Sequence, residues 1–124
     1  MKTTLLWVGL GGAIGSMLRY ATTHFIAGRI TQFPSIYGTF CVNLVGSLLI
    51  GIVWGLSERY DWLSPPLRLF LVTGLCGGYT TFSAFAYENV NLWQTGNYGI
   101  SFIYICASII LCLGATFLGL LISK

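Results

Sequence analysis

The chain has 124 residues, of which 56% are hydrophobic and only 7% are charged, with a formal net charge of +3. Soluble domains carry about 25% charged residues, so this composition excludes an ordinary water-soluble domain and indicates an integral membrane protein. The positive charges are spread singly along the loops and form no basic tract, which argues against a nucleic-acid-binding surface.

Four apolar stretches follow one another, at residues 5–27, 36–56, 67–90 and 98–122. Each reaches the roughly 20 residues that a membrane-spanning helix needs. The links between them are short and hold most of the charges, which leaves no room for a soluble domain. The sequence therefore predicts one all-α membrane domain over residues 1–124, with four spanning helices.

The first stretch follows Lys2, as the apolar part of a signal peptide would. Its apolar run is too long for one, and no small-residue cleavage pattern ends it. We therefore expect a retained helix, with Arg19 extending toward the membrane interface. Gly11 and Gly15 form a GxxxG pair, which lets helix backbones approach closely in lipid.

The second stretch carries small or polar residues every four positions, at Asn43, Ser47, Gly51 and Gly55. This spacing predicts one narrow helix face that is polar at its start and bare at its end. The Asn43 amide has two donors and an acceptor to satisfy away from water. That requirement favours a functional over a purely structural role for Asn43.

The third stretch contains the most informative segment of the chain, GGYTTFSAF at residues 77–85. Two glycines and three hydroxyl residues predict a break in a spanning helix, and close helix packing does not account for Gly77 and Gly78. Such a break is tolerated only where it is buried in protein or lines a wet cavity. Phe82 and Phe85 share a helix face just after it. The segment indicates an ion or substrate site.

The fourth stretch has a stripe of mostly polar residues at four-residue intervals, at Tyr104, Ser108, Cys112 and Thr116. A single hydroxyl in a helix can simply bond the backbone carbonyl one turn back. The stripe as a set is harder to explain in that way, and we interpret it as part of the same site.

The sequence contains no residue pattern that is typical of an enzyme active site. There is no nucleophile–base pair, phosphate loop or carboxylate dyad. The four cysteines, none in a CxxC pair, are expected to be reduced, buried apolar residues: Cys41, Cys76, Cys106 and Cys112. His24 is the only histidine, which disfavours a side-chain metal site. Glu88 lies near the end of the third stretch, where we expect it to be solvated.

Three segments together resemble the Fluc (CrcB) family of fluoride channels: GGAIGSMLRY at 11–20, GTFCVNLVGS at 38–47 and GGYTTFSAF at 77–85. The resemblance runs along the whole chain. It implies a passive fluoride channel of the bacterial inner membrane that exports fluoride from the cytoplasm. It also implies an antiparallel, dual-topology homodimer with two pores and a structural sodium ion at its centre.

The family's functional positions transfer to this chain residue by residue. The sodium ligands would be backbone carbonyls, at Gly77 and Thr80. The fluoride pore would be lined by polar and aromatic side chains: Asn43, Phe82, Ser83, Phe85, Tyr104 and Ser108. A pore mouth would lie near Thr39 and Glu88. Where the family's polar track commonly continues with a hydroxyl, this chain has Cys112, a weaker donor.

Two other functions were weighed. A small multidrug-resistance-type, proton-coupled transporter has a similar size, but it needs a carboxylate within its first helix, and residues 5–27 contain none. A structural subunit of a larger membrane complex would not need the polar break.

The orientation in the membrane is the point on which two arguments disagree. Near the ends of the predicted helices, four basic residues fall on one side and two on the other: Lys2, Arg59, Arg68 and Lys124 against Arg19 and Arg29. The positive-inside rule then favours cytoplasmic termini. The family resemblance implies insertion in both orientations, and we expect dual insertion because the charge excess is small.

Overall fold

The computed structural model describes every residue from Met1 to Lys124 and contains helices but no strands. Helix α1 covers Lys2–Ala27 and α2 covers Pro34–Arg59. A third, interrupted helical run extends over Pro65–Gln94, and we call it the broken helix. The last helix, α6, covers Tyr98–Ser123. The predicted all-α fold is confirmed.

The broken helix consists of four pieces. It begins with α3 at Pro65–Leu69 and continues as a π-helical segment at Phe70–Cys76. A single turn, α4, follows at Gly77–Tyr79, and after the interruption α5 covers Phe82–Gln94. The π-helical segment immediately before the interruption is notable because such segments occur mostly as short insertions, often at functional sites.

Three of the four predicted spans are long and apolar enough to cross a membrane, namely α2, the broken helix and α6. Helix α1 is not among them, although its 26 residues match the length of α2 and α6. Polar and charged residues, including Lys2 and Arg19, lower its apolar content.

Proline sets two helix starts, since Pro34 and Pro65 each occupy the first helical position. The end of the broken helix was predicted too early, because Asn91 and Gln94 are polar enough to suggest a loop. The helix continues through Gln94, and the turn to α6 is short. Gly96 provides the reversal, at a φ of 80° in the left-handed region that favours glycine.

Helix α1 packs on the first half of the broken helix along a line of glycines. Gly11 and Gly15 are buried there against backbone atoms of the broken helix. On the opposite side, a Cβ added to Gly78 would lie 2.6 Å from the carbonyl oxygen of Gly12. Close packing therefore does account for Gly78, contrary to the sequence-based expectation. It does not account for Gly77, where an added Cβ would make only ordinary contact.

Helices α2 and α6 form the second close pair. A Cβ on Gly51 would lie 3.0 Å from the amide nitrogen of Leu120, and one on Gly119 would lie 2.9 Å from that of Ile52. The Thr116 hydroxyl donates to the Ser47 carbonyl across this interface at 2.9 Å. The glycine-containing half of the predicted α2 face thus packs against α6.

The interruption changes the neighbours of the broken helix. Before it, α3, the π-helical segment and α4 all contact α1; after it, α5 contacts α2 and α6. The side chains at the start of α5 are thereby placed between α2 and α6, where the candidate site lies.

The glycine packing leads to a first prediction. Gly78→Ala should destabilise the fold by about 1–3 kcal/mol, because the added methyl overlaps the α1 backbone, which cannot move aside like a side chain. Gly114→Ala is the matched control, since a Cβ there meets nothing within 4 Å. Thermal unfolding of both variants in detergent measures the difference, and equal melting temperatures would contradict the close contact.

Candidate functional site

The interruption lies at Thr80 and Thr81, within the predicted segment 77–85 and two residues after Gly78. Both threonines have extended backbones, with φ and ψ of −119° and 126° at Thr80 and −131° and 119° at Thr81. Gly77 and Gly78 belong instead to the helical turn α4. Gly78 allows the close approach of α1, and the β-branched threonines adopt the extended conformation that suits them.

The Asn43 side chain occupies the place of the backbone partners that Thr81 has lost. The Thr81 amide donates to Asn43 Oδ1 at 2.7 Å, and Asn43 Nδ2 donates to the Thr81 carbonyl at 3.2 Å. An amide side chain has two N–H donors, so one remains for another acceptor. Asn43, predicted as a pore residue, thus also has a structural role at the interruption.

The Thr81 hydroxyl caps the start of α5. It accepts from the Ala84 amide at 3.2 Å and lies 3.1 Å from the Ser83 hydroxyl. The free amides at a helix start create partial positive charge, which favours a nearby anion. Ser83, predicted as a pore residue, therefore lies at the electropositive end of α5.

Two carbonyls next to the interruption lose their regular helical donors. The amide one turn after Gly77 belongs to Thr81, and it donates to Asn43. The amide one turn after Thr80 belongs to Ala84, and it donates to the Thr81 hydroxyl. Gly77 is exposed and Thr80 is half-buried.

Carbonyl oxygens of this kind are ligands that hard cations prefer. The chain has no cluster of three or more His, Cys, Asp or Glu side chains that could hold a metal ion in another way. The Gly77 and Thr80 carbonyls therefore suit a hard cation, provided that further oxygens come from another molecule.

Three aromatic rings follow one another from the start of α5 to α6. The Phe82 and Phe85 ring centroids are 5.6 Å apart with their planes at 45°. The Phe85 and Tyr104 centroids are 5.0 Å apart in an edge-on arrangement at 64°. Phe82 is 78% exposed, so one of the two predicted rings projects from the surface of the chain.

A cavity of about 460 Å³ opens beside these rings. Its wall contains five predicted site residues, namely Asn43, Thr80, Phe82, Phe85 and Ser108. The other lining residues are Ser47, Thr81, Ile109 and Cys112. Ser108 is 9% exposed and its hydroxyl is the one buried side-chain polar atom without a hydrogen-bond partner. Buried polar atoms nearly always have partners, so the Ser108 hydroxyl is an unused hydrogen-bonding group at the cavity wall.

The α6 stripe divides into two parts. Ser108 and Cys112 line the cavity, whereas Thr116 is used in packing against α2. All four cysteines are free, but only Cys76 is buried, so the expectation of four buried cysteines was wrong for the other three.

Glu88 is buried, which corrects the expectation that it is solvated. It is 7% exposed and accepts three hydroxyl hydrogen bonds. Tyr104 donates to Oε1 at 2.7 Å, Thr39 donates to Oε2 at 2.7 Å, and Ser35 also donates to Oε2. The predicted neighbours Thr39, Glu88 and Tyr104 are thus brought together. Ser35 was missed, although it lies one turn before Thr39 on α2.

A second, more polar cavity of about 730 Å³ lies on the Glu88 side of the interruption. Arg19 and His24 of α1 line it together with Glu88. Thr81 belongs to the walls of both cavities, which places the interruption between them. Arg19 was expected at the membrane interface, and the sequence did not indicate that it lines this cavity, because no local pattern shows which helix packs against α1.

Several known proteins are similar to this chain over nearly its whole length. "Fluoride-specific ion channel FluC" of Flavobacterium psychrophilum is 50% identical over 122 residues, covering 98% of this chain and 97% of that protein. The protein of the same name from Azobacteroides pseudotrichonymphae is 42% identical, covering 100% and 98%. That from Leptospira interrogans is 38% identical, covering 98% and 94%.

These relatives carry the name of an ion channel, which confirms the expectation that the chain is not an enzyme. Residues 6–120 also match the family model described as "CrcB-like protein, Camphor Resistance (CrcB)". The resemblance seen in the three sequence motifs is thereby confirmed, and the chain belongs to the CrcB family.

Proposed function

We propose that the chain is a passive, fluoride-selective channel that lets fluoride leave the cytoplasm. The observation that carries this proposal is the unpartnered Ser108 hydroxyl, buried in a cavity wall that also contains two phenylalanine rings. No charged side chain lines that cavity. The names of the relatives indicate that the transported ion is fluoride.

Fluoride is small and strongly hydrated, so a pore must replace its water with other donors. Conduction also requires that each site binds weakly enough for the ion to leave. The Ser108 hydroxyl, the spare Asn43 N–H and the positive edges of aromatic rings are donors of modest strength. A lysine or arginine at this depth would hold the anion too firmly.

Glu88 would act near the pore mouth through the hydroxyls that it holds. The Thr39 and Tyr104 hydroxyls donate to its carboxylate, so an arriving anion competes with Glu88 for the same donors. Because the donors are shared, the anion is released readily and does not occupy the site for long. The direction of net flow follows the membrane potential, which drives anions out at about 2.3 kcal/mol per charge per 100 mV.

We propose further that two chains pair in antiparallel orientation, with α1 as the fourth span. Helix α1 is about 39 Å long at 1.5 Å per residue, enough to cross a hydrocarbon core of about 30 Å. Thr73 and Gly77 are exposed on the broken helix, and Phe82 projects beyond them. A second copy would cover this surface and supply the missing wall of the cavity beside Phe82.

A structural sodium ion would lie between the two interruptions. The Gly77 and Thr80 carbonyls of both subunits would supply four oxygens, which suits a hard monovalent cation. The ion would compensate carbonyls that cannot be left unsatisfied within the membrane. It would hold the two chains together and would not be transported.

The alternative functions are less compatible with the site. In a proton-coupled transporter, a carboxylate must bind and release protons or substrate in a central position. Glu88 is instead held by three hydroxyls. It lies about two helical turns after Thr81, away from the interruption. A purely structural subunit leaves the unpartnered Ser108 hydroxyl without a role.

The central prediction concerns the two rings. Phe82→Ile and Phe85→Ile keep apolar bulk but remove the ring edge, so fluoride efflux from liposomes should fall by about tenfold or more, which corresponds to about 1.4 kcal/mol at the barrier. Phe117→Ile is the control, because Phe117 is also exposed at 62% but lies outside both cavities. Wild-type efflux from both ring variants would refute their role, and a wild-type chain without fluoride efflux would refute the channel.

The sodium proposal predicts an ion-specific stability. The melting temperature of the purified protein should be higher in sodium chloride than in N-methyl-D-glucamine chloride of equal concentration, because an ion that binds only the folded state stabilises it. Potassium chloride provides the comparison for ionic strength. Equal melting temperatures in all three salts, or sodium flux accompanying fluoride flux, would contradict a structural sodium site.

Dual topology predicts two populations of the same chain. Thr95 is exposed in the turn before α6, so Thr95→Cys places a label site there without altering the charge count. In a background lacking the four native cysteines, an impermeant thiol reagent should label about half of the chains in intact cells, since equal insertion is expected when the charge bias is weak. Complete labelling or complete protection would show a single orientation.

A further inference from the structure

Helix α5 buries few apolar side chains against the rest of the chain. It has 13 residues, and only three of them are buried: Glu88, Asn89 and Leu92. Two of these three are polar. Phe85, which the proposed function places at the pore, therefore takes its position from a helix whose attachment depends on polar contacts.

One of those attachments is a continuous chain of side-chain hydrogen bonds between α5 and α6. Trp93 Nε1 donates to Ser101 Oγ at 2.7 Å, and Ser101 Oγ donates to Asn89 Oδ1 at 2.8 Å. Asn89 Nδ2 then donates to the Phe85 carbonyl at 2.8 Å. Ser101 is 1% exposed and Asn89 is 3% exposed. Trp93 is 47% exposed, so the buried part of the network is the Ser101–Asn89 pair. A satisfied buried polar pair restrains the two helices to one arrangement.

The network and the Phe85 ring contact the same part of α6. Ser101 receives the network, and Tyr104, three residues later, receives the edge-on contact with the Phe85 ring. Phe85 is therefore linked to α6 in two ways, directly through its ring and indirectly through Asn89, which donates to the Phe85 carbonyl and accepts from Ser101. Two attachments fix both the distance and the rotation of α5 about its axis.

We propose that Asn89, Ser101 and Trp93 are positioning residues that orient the Phe85 ring toward the permeating anion. This inference rests on the proposed fluoride channel. None of the three lines either cavity beside the interruption, so they act through Phe85 and not by touching the ion.

The test separates the rate of each channel from the number of channels. Ser101→Ala removes the two bonds that join α5 to Ser101, and unitary fluoride current in planar bilayers should fall by about fivefold to tenfold. Trp93→Phe removes only the indole donor and should lower the current less. Trp62→Phe is the matched control, since Trp62 is 64% exposed in a loop, and its current should equal that of the wild type.

A double-mutant cycle identifies the route of the effect. If the network acts through the ring, Ser101→Ala should cause no further loss in the Phe85→Ile background, because contacting residues are not additive. Additive losses would overturn the proposal. So would a smaller fraction of active channels with unchanged unitary current, which indicates a purely structural role. A wild-type chain that conducts no fluoride would overturn the proposed function as well, whereas unchanged current in Ser101→Ala overturns only the network.

Discussion

The structure depends on one constraint, which is that a backbone amide or carbonyl inside a membrane must find its partner within the protein. At Thr81 that partner is the side chain of Asn43, which both donates and accepts. Because the Asn43 amide bonds both the N–H and the carbonyl of Thr81, the chain can change direction at mid-length with these two groups satisfied. The redirection of α5, the two cavities and the freed carbonyls of Gly77 and Thr80 all follow from that contact.

Two kinds of contact divide the molecule. Backbone-to-backbone packing at glycines joins α1 to the first half of the broken helix and α2 to α6. In lipid such packing is a main source of helix association, because no hydrophobic driving force acts between helices there. Helix α5 is attached differently, through the hydroxyls around Glu88 and the network at Asn89. The result is a closely packed frame that carries a short helix oriented by directional bonds, and that short helix bears the two rings.

Local chemistry was predictable from the sequence, whereas tertiary pairing was not. Asn43, Phe82 and Phe85 could be assigned to one site because amides and aligned rings are conspicuous in an apolar run. The break was predicted from the glycines and the hydroxyl residues of the 77–85 segment together. The sequence could not show which of them interrupt the helix, because whether a glycine bends a helix or admits a neighbour depends on what packs against it. The burial of Glu88 was missed for the same reason, since its three hydroxyl donors come from two other helices.

The Asn43 contact also bears on how the chain is made. Asn43 precedes Thr81 by 38 residues, so on a ribosome α2 is synthesised before the interruption leaves the exit tunnel. The amide that Thr81 needs is then already present in the bilayer when the third span arrives. An extended segment that would be costly to insert alone can then insert beside the side chain that satisfies it. The order of the helices along the gene thus assists the insertion of the broken helix into the membrane.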